Sequence, residues 1–346
     1  MRTSRLAALV SAAALAVTTL SACGSSDDDG SAAKSDDTSW TPVSVETKFG
    51  TVTVNKRPER IVTIGLTDQD AVLALGTVPV GVTNWFGDAP GRIFPWATDA
   101  AAKATTNPLG AGKVPEVLKD EKQIEKVLAL KPDLVTAIYS ALTQKQFDTF
   151  KAQGIPVIAA PKGAVDYATS WQDATTLIGT AMGKKAEAEK LVADVDAKVA
   201  KAAADHPEFK GKSAVTITNY EGYFIYGSGD PRGRLLADLG FVLPQDLEDF
   251  TKENFGKSIS AENANLIDLD VLLWVNSEKK ALELKTYAGT KVHENGGDVF
   301  IDDSDPNGAL YVASSFVTVL SLPFYLDQIV PRLAAAADGD PSTKTD

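Results

Sequence analysis

The chain has 346 residues, 44% of them hydrophobic and 23% charged, and its 46 acidic side chains outnumber 34 basic ones to leave a net charge of −12. A surface of that sign repels nucleic acid and anionic lipid headgroups, which excludes both as partners. One cysteine excludes an intramolecular disulfide, and two histidines, His206 and His293, exclude a zinc or manganese centre built from several imidazoles.

Arg2 and Arg5 precede an apolar run from Leu6 to Thr19. The charged start and short apolar stretch predict an export signal over 1–22, because a membrane span needs about 20 apolar residues. Leu20-Ser21-Ala22-Cys23, directly after the run, resembles the lipobox of bacterial lipoproteins. That resemblance implies acylation of Cys23 and attachment to the cell membrane on its extracytoplasmic side. Each buried CH₂ contributes about 0.8 kcal/mol, so two acyl chains hold where one does not. Gly24 to Ser39 is rich in Ser, Gly, Asp and Ala, too polar to order itself, and 23–39 is predicted to be a flexible tether. No second apolar stretch of spanning length follows.

About 300 residues remain, enough for two lobes with separate cores. Short β-rich runs recur at Val52 to Val54, Ile61 to Ile64, Leu134 to Ile138, Val157-Ile158, Val215 to Ile217 and Val271 to Val275. Helix-period stretches such as Asp68 to Leu75 and Ile124 to Leu130 separate them. This alternation predicts an α/β chain with mostly parallel sheets. Lys184 to Asp205 contains neither Gly nor Pro and reads as a single helix about 33 Å long, ended by His206-Pro207. The expected division is an N-terminal lobe over 40–183, a connecting helix over 184–206, a C-terminal lobe over 207–335 and a disordered tail over 336–346.

The two halves echo each other. Glu125 opens a helical stretch and Asp133, eight positions on, precedes an apolar strand; Glu262 and Asp270 repeat the arrangement. A carboxylate in a first helical turn is favoured by the macrodipole, so the pattern alone is compatible with a structural role.

Phe49-Gly50-Thr51-Val52-Thr53-Val54, Arg57-Pro58-Glu59-Arg60-Ile61-Val62, Gln69 to Gly76 and Pro79-Val80-Gly81-Val82 follow one another at the start of the folded part. Later come Glu125 to Val135, Gly154-Ile155-Pro156-Val157, Leu235 to Gly240, Ser260 to Leu273 and Ser321-Leu322-Pro323-Phe324-Tyr325-Leu326-Asp327. In this order, from about Phe49 to Leu333, the blocks resemble the substrate-binding proteins of iron-siderophore and cobalamin ABC importers. The resemblance implies two Rossmann-like lobes joined by a rigid helix, a ferric siderophore held between them, and delivery to an ABC permease dimer. It also implies that Glu125 and Glu262 dock the lobes onto arginines of the two permease subunits. The protein would act as a monomer without a cofactor of its own, its iron carried by the bound chelate.

Ligands of open α/β sheets sit beyond the carboxyl ends of the strands, near helix N-termini. The Gly- and Pro-punctuated loop from Asn84 to Trp96 offers Trp85, Arg92 and Trp96, suited to stacking on a flat, partly anionic ligand. Tyr139 follows a strand, and Tyr223 and Tyr226, three apart in an extended segment, point to opposite faces, so that one of them reaches the cleft. Tyr223 is carried forward as a ligand contact. Arg232 and Arg234 lie in the first turn of a helix capped by Asp230, placed to neutralise an anionic chelate. Tyr311, with Ser314 and Ser315 beside it, completes the set.

The Gly-rich stretch before Arg232 lacks the lysine and Ser/Thr of a P-loop, which argues against a nucleotide. Haem stays open because tyrosines are plentiful, and cobalamin fits the implied fold but gives the arginines no purpose. A cleft enzyme using Asp68, Asp70, Glu221 or Asp230 for acid–base chemistry is the remaining alternative. No spacing supports it, there is no Gly-x-Ser-x-Gly elbow, and no thiol is left once Cys23 is acylated, so no enzymatic activity is expected.

Overall fold

The computed structural model describes residues 40–251, 255–305 and 307–343. The export signal, Cys23 and the tether lie outside the described residues. The chain begins with a hairpin of β1 (Val43–Thr47) and β2 (Gly50–Val54). An alternating series follows: β3 (Ile61–Thr63), α1 (Asp68–Ala74), β4 (Gly81–Thr83), α2 (Thr98–Lys103), β5 (Glu116–Leu118), α3 (Ile124–Ala129), β6 (Leu134–Ala137), α4 (Gln144–Ala152) and β7 (Val157–Ala159). The five strands after the hairpin form one parallel sheet in the order β5-β4-β3-β6-β7. Strands β3, β4, β6 and β7 are buried at every position, as expected of parallel strands covered on both faces.

Helices α5 (Trp171–Ala181) and α6 (Lys185–Asp205) lead to the second half. At 21 residues α6 is about 32 Å long. Ala188, Val195 and Val199 are buried along one stripe of it, while i,i+4 pairs such as Lys190–Asp194 and Lys201–Asp205 occupy the solvent side.

The second half contains β8 (Ala214–Asn219), β9 (Tyr223–Tyr226), α7 (Pro231–Asp238), α8 (Gln245–Thr251), β10 (Gly256–Ile259), β11 (Val271–Trp274), α9 (Glu278–Ala281), α10 (Lys291–Glu294), β12 (Asp298–Phe300), α11 (Ala309–Ser315) and α12 (Ser321–Ala337). Its sheet runs β10-β9-β8-β11-β12. Strands β8, β11 and β12 are parallel, and β9 is antiparallel to both neighbours. The chain is thus an α/β fold of two lobes, each with a mostly parallel five-stranded sheet.

The echo seen in sequence has a structural counterpart. Asp133 accepts from the backbone N–H of Arg60, at 2.8 Å, and so ties the start of β6 to the start of β3. Asp270 accepts from the N–H of Ser213, at 2.7 Å, and ties β11 to β8 in the same way. Each aspartate satisfies a donor at the amino end of the central strand pair.

The final helix belongs to neither lobe alone. Lys198 of α6 donates to the Pro323 carbonyl at 2.8 Å and pairs with Asp327 at 2.6 Å, while Arg332 donates to the Phe300 carbonyl. Just before α12, Thr318 donates to Asp70 of α1 at 2.5 Å. One continuous cluster of buried side chains therefore passes from the first sheet through α5, α6 and α12 to Val271, Leu273 and Val299. A second cluster fills the opposite face of the second sheet around Trp274, Tyr223 and Tyr287. Ala336 and Ala337 are buried at the end of α12, so the boundary expected at 335 falls inside a packed helix.

Candidate functional site

A cleft of about 490 Å³ opens at the carboxyl ends of both sheets. In each sheet the strand order reverses beside the central strand, and this is where loops leave in opposite directions and make room for a ligand. Tyr139 follows β6 and Trp85 follows β4 in the first lobe; Thr218 and Asn219 end β8 and Asn276 follows β11 in the second.

The first lobe supplies an aromatic wall. Trp85 lies 4.8 Å from Phe86, 5.8 Å from Tyr139 and 4.7 Å from Phe316, centroid to centroid. Asp68 holds the base of this wall in place: its carboxylate accepts from the N–H groups of Ile138 (2.9 Å) and Tyr139 (3.2 Å). Burial pushes the Asp68 carboxyl above its ordinary range, and the two backbone donors pull it back. Gly65 makes this possible, since a Cβ there would come within 2.3 Å of the carboxylate. Burial, then the nearby Asp230 carboxylate, pushes the Tyr139 phenol up to about 12, so it remains an O–H donor.

The second lobe supplies a mixed wall. Phe224 and Tyr226 point to the cleft from β9, and Phe255 stands beside them. Arg232 lies with its guanidinium 3.7 Å from the Tyr226 ring centroid. It also grips Asp230 through two bonds, Nε to Oδ1 at 2.7 Å and the second nitrogen to Oδ2 at 2.9 Å. Burial alone would lower the Arg232 pKa, but the Asp230 bond and charge raise it, so the guanidinium keeps its charge. Further along, Lys280 pairs with Asp303 at 2.8 Å, and Asp303 also accepts from Asn276 (3.0 Å) and the Ser277 N–H (3.0 Å). Burial would raise the Asp303 carboxyl; these donors outweigh it and hold it below its ordinary range. Asn276 in turn accepts from Thr218 and from the Asn219 N–H.

Of the residues expected at the ligand, Trp85, Tyr139, Arg232 and Tyr311 line the cleft. Four others lie elsewhere. Tyr223 is fully buried under the second sheet, its hydroxyl bonded to Thr286 at 2.8 Å, and Tyr226 takes the cleft-facing position instead. The strand alternation decides which of the two enters: Tyr223 shares its face with Ile225, and Tyr226 with Phe224. Trp96 is a structural plug, stacked on Phe94 and donating its indole N–H to Asp70 at 2.9 Å. Arg92 sits outside the cleft lining in the turn Pro90–Arg92 with φ of 55°. Arg234 turns away, donating to the Gly229 carbonyl at 2.7 Å and lining a separate hollow with Phe241.

Arg232, expected to neutralise a ligand, is already neutralised by Asp230. Phe224, Phe255, Asn219, Asn276, Lys280 and Asp303 were not anticipated. Asn219 and Asn276 stand at strand ends, a signal available in the sequence, whereas Lys280 and Asp303 meet only through the packing of α9 against the loop after β12. Glu125, in the first turn of α3, and Glu262, in the short 3₁₀ helix Ala261–Ile267 capped by Ser260, are both exposed. Among the described residues no helix is long and apolar enough to cross a membrane, and no three His, Cys, Asp or Glu side chains gather as a metal site.

Residues 61–289 match the family described as periplasmic binding protein. The probable siderophore-binding lipoprotein YfiY of Bacillus subtilis is 30% identical over 268 residues, covering 75% of this chain and 76% of YfiY. Among solved structures, a periplasmic solute-binding protein of Mycobacterium smegmatis superposes with a TM-score of 0.72 at 30% identity, covering 86% of this chain and 99% of that one. PiaA of Streptococcus pneumoniae in complex with ferrichrome superposes with a TM-score of 0.70 at 28% identity, with the same coverage. The chain belongs to the periplasmic binding protein family: it is an extracytoplasmic solute-binding protein, and not an enzyme.

Proposed function

We propose that the protein is a lipid-anchored receptor that binds a ferric siderophore in the cleft between its lobes and presents it to an ABC permease. The observation that carries this reading is the cleft itself. It has room for a compact chelate, an aromatic wall from one lobe and a hydrogen-bonding wall from the other, and no protein ligand set for a bare metal among the described residues. The named ligands and functions of its relatives, YfiY and the ferrichrome complex of PiaA, support the same ligand class. A siderophore brings its own iron ligands, so the receptor needs no resident cofactor. Haem is less well supported, because the Tyr139 phenol is pushed up to about 12 and Tyr226 is also shifted upward, both by burial first, which opposes the phenolate that would bind haem iron.

Acylation of Cys23 would hold the receptor near its permease, raising its local concentration there. Glu125 and Glu262 are the landing points, one exposed carboxylate on each lobe. The continuous core through α6 and α12 favours small hinge motions over wide opening. The test combines binding and transport. Tryptophan fluorescence should be quenched saturably by a ferric siderophore, and replacing Glu125 and Glu262 together by Ala should reduce uptake to background without changing that titration. Undiminished uptake by the double variant would remove the docking role, and absence of quenching by any ferric chelate would remove the ligand class.

A further inference from the structure

The charges of the cleft narrow the class of chelate it accepts; this inference rests on the reading of the cleft as a ferric-siderophore site. Among the described lining residues the cations are Arg232 and Lys280, and the anions are Asp230 and Asp303. They are arranged as two closed pairs. Arg232 pairs with both oxygens of Asp230 through Nε and one terminal nitrogen, and its side chain is 11% exposed and that of Asp230 1%. One face of the guanidinium is covered by the Tyr226 ring. Lys280 meets Asp303 at 2.8 Å, and Asn276 and Ser277 lock that carboxylate in place. The remaining polar lining is neutral: phenols, hydroxyls and amides.

A ligand entering this site surrenders its hydration to a wall without net charge. For an anionic chelate that exchange is unfavourable, because burying uncompensated charge costs several kcal/mol per ion. The chain's overall charge of −12 adds long-range repulsion. A ferric ion held by three hydroxamates, each having lost one proton, carries no net charge. Its apolar arms suit Trp85, Phe224 and Phe255, and its oxygen-rich rim suits O–H donors. We infer that the cleft selects charge-neutral ferric chelates, the tris-hydroxamate class, over polyanionic carboxylate and tris-catecholate chelates.

The test is a titration of the full chain in detergent with ferrichrome, ferric dicitrate and ferric enterobactin, followed by tryptophan fluorescence. Ferrichrome should bind at least about 100-fold more tightly than either anion, equivalent to roughly 3 kcal/mol. Equal or tighter binding of an anion overturns the inference while leaving the siderophore reading intact; no binding of any chelate overturns both. Asp303→Asn, which removes the counter-charge of Lys280, should shift the ratio of ferrichrome to ferric dicitrate affinity about tenfold towards dicitrate. An unchanged ratio between the two chelates would show that the pairing does not set the preference.

Discussion

Each lobe buries a carboxylate at the cleft end of a helix, and the two do it by different chemistry. In the N-terminal lobe, Asp68 and Asp70 enter the interior on α1 and are met by hydrogen-bond donors: backbone N–H groups of Ile138 and Tyr139 for the first, Trp96 and Thr318 for the second. In the C-terminal lobe Asp230 caps α7 and is met by a guanidinium two residues on, as a bidentate ion pair. Neutral donors leave the desolvation of the charge only partly offset, and both α1 carboxyls are shifted upward, Asp70 to about 6. The ion pair fixes both charges but uses up a cation that would otherwise face the ligand. The first solution builds a rigid aromatic wall, and the second builds a wall without net charge.

Three substitutions probe this contrast. The largest effect is expected at the ion pair: Arg232→Ala strands the Asp230 carboxylate in the interior and should destabilise the fold by about 3 kcal/mol in urea denaturation. A loss below about 1 kcal/mol would mean that Asp230 is satisfied by its capping role alone. Asp70→Asn should act in the opposite direction. Because the folded carboxyl is pushed up to about 6 from its ordinary 3.8, its contribution to stability is full below about pH 4 and is lost as the pH rises through 6. The Asn variant, neutral throughout, should be more stable than the parent by about 2 kcal/mol at pH 7.5. It should lose that advantage near pH 4, where the new amide N–H, placed at an oxygen that has no partner among the described residues, costs about 1 kcal/mol. A pH-independent difference between the two proteins would refute the assignment. The smallest effect is expected at Tyr223→Phe: loss of the Thr286 bond should cost about 1 kcal/mol and leave chelate affinity unaltered, which separates this residue from Tyr226.

The same contrast explains which parts of the site were legible in the sequence. Trp85 and Tyr139 were found because they follow buried strands, and sequence alone says which end of a parallel strand faces a ligand. Trp96 was misplaced because its loop brings it back to α1 and α12, a contact spanning 26 residues to Asp70 and more to Phe324. The alternation at Tyr223 and Tyr226 established that only one would face the cleft, but the face of β9 turned to the core depends on how the strand is laid against β8.

By itself the sequence determined the α/β alternation, the uninterrupted helix, the matched Glu125 and Glu262 stretches and the membership of a two-lobed family, because these depend on local periodicity and on the order of short blocks. Only the tertiary structure decided which cations are left for a ligand. Charge is written in the chain one residue at a time, yet the field in a cleft depends on partners brought together by folding. Lys280 and Asp303 lie 23 residues apart and become one neutral unit. Arg232, which reads in sequence as a free cation at the start of a helix, is held by the carboxylate that caps it.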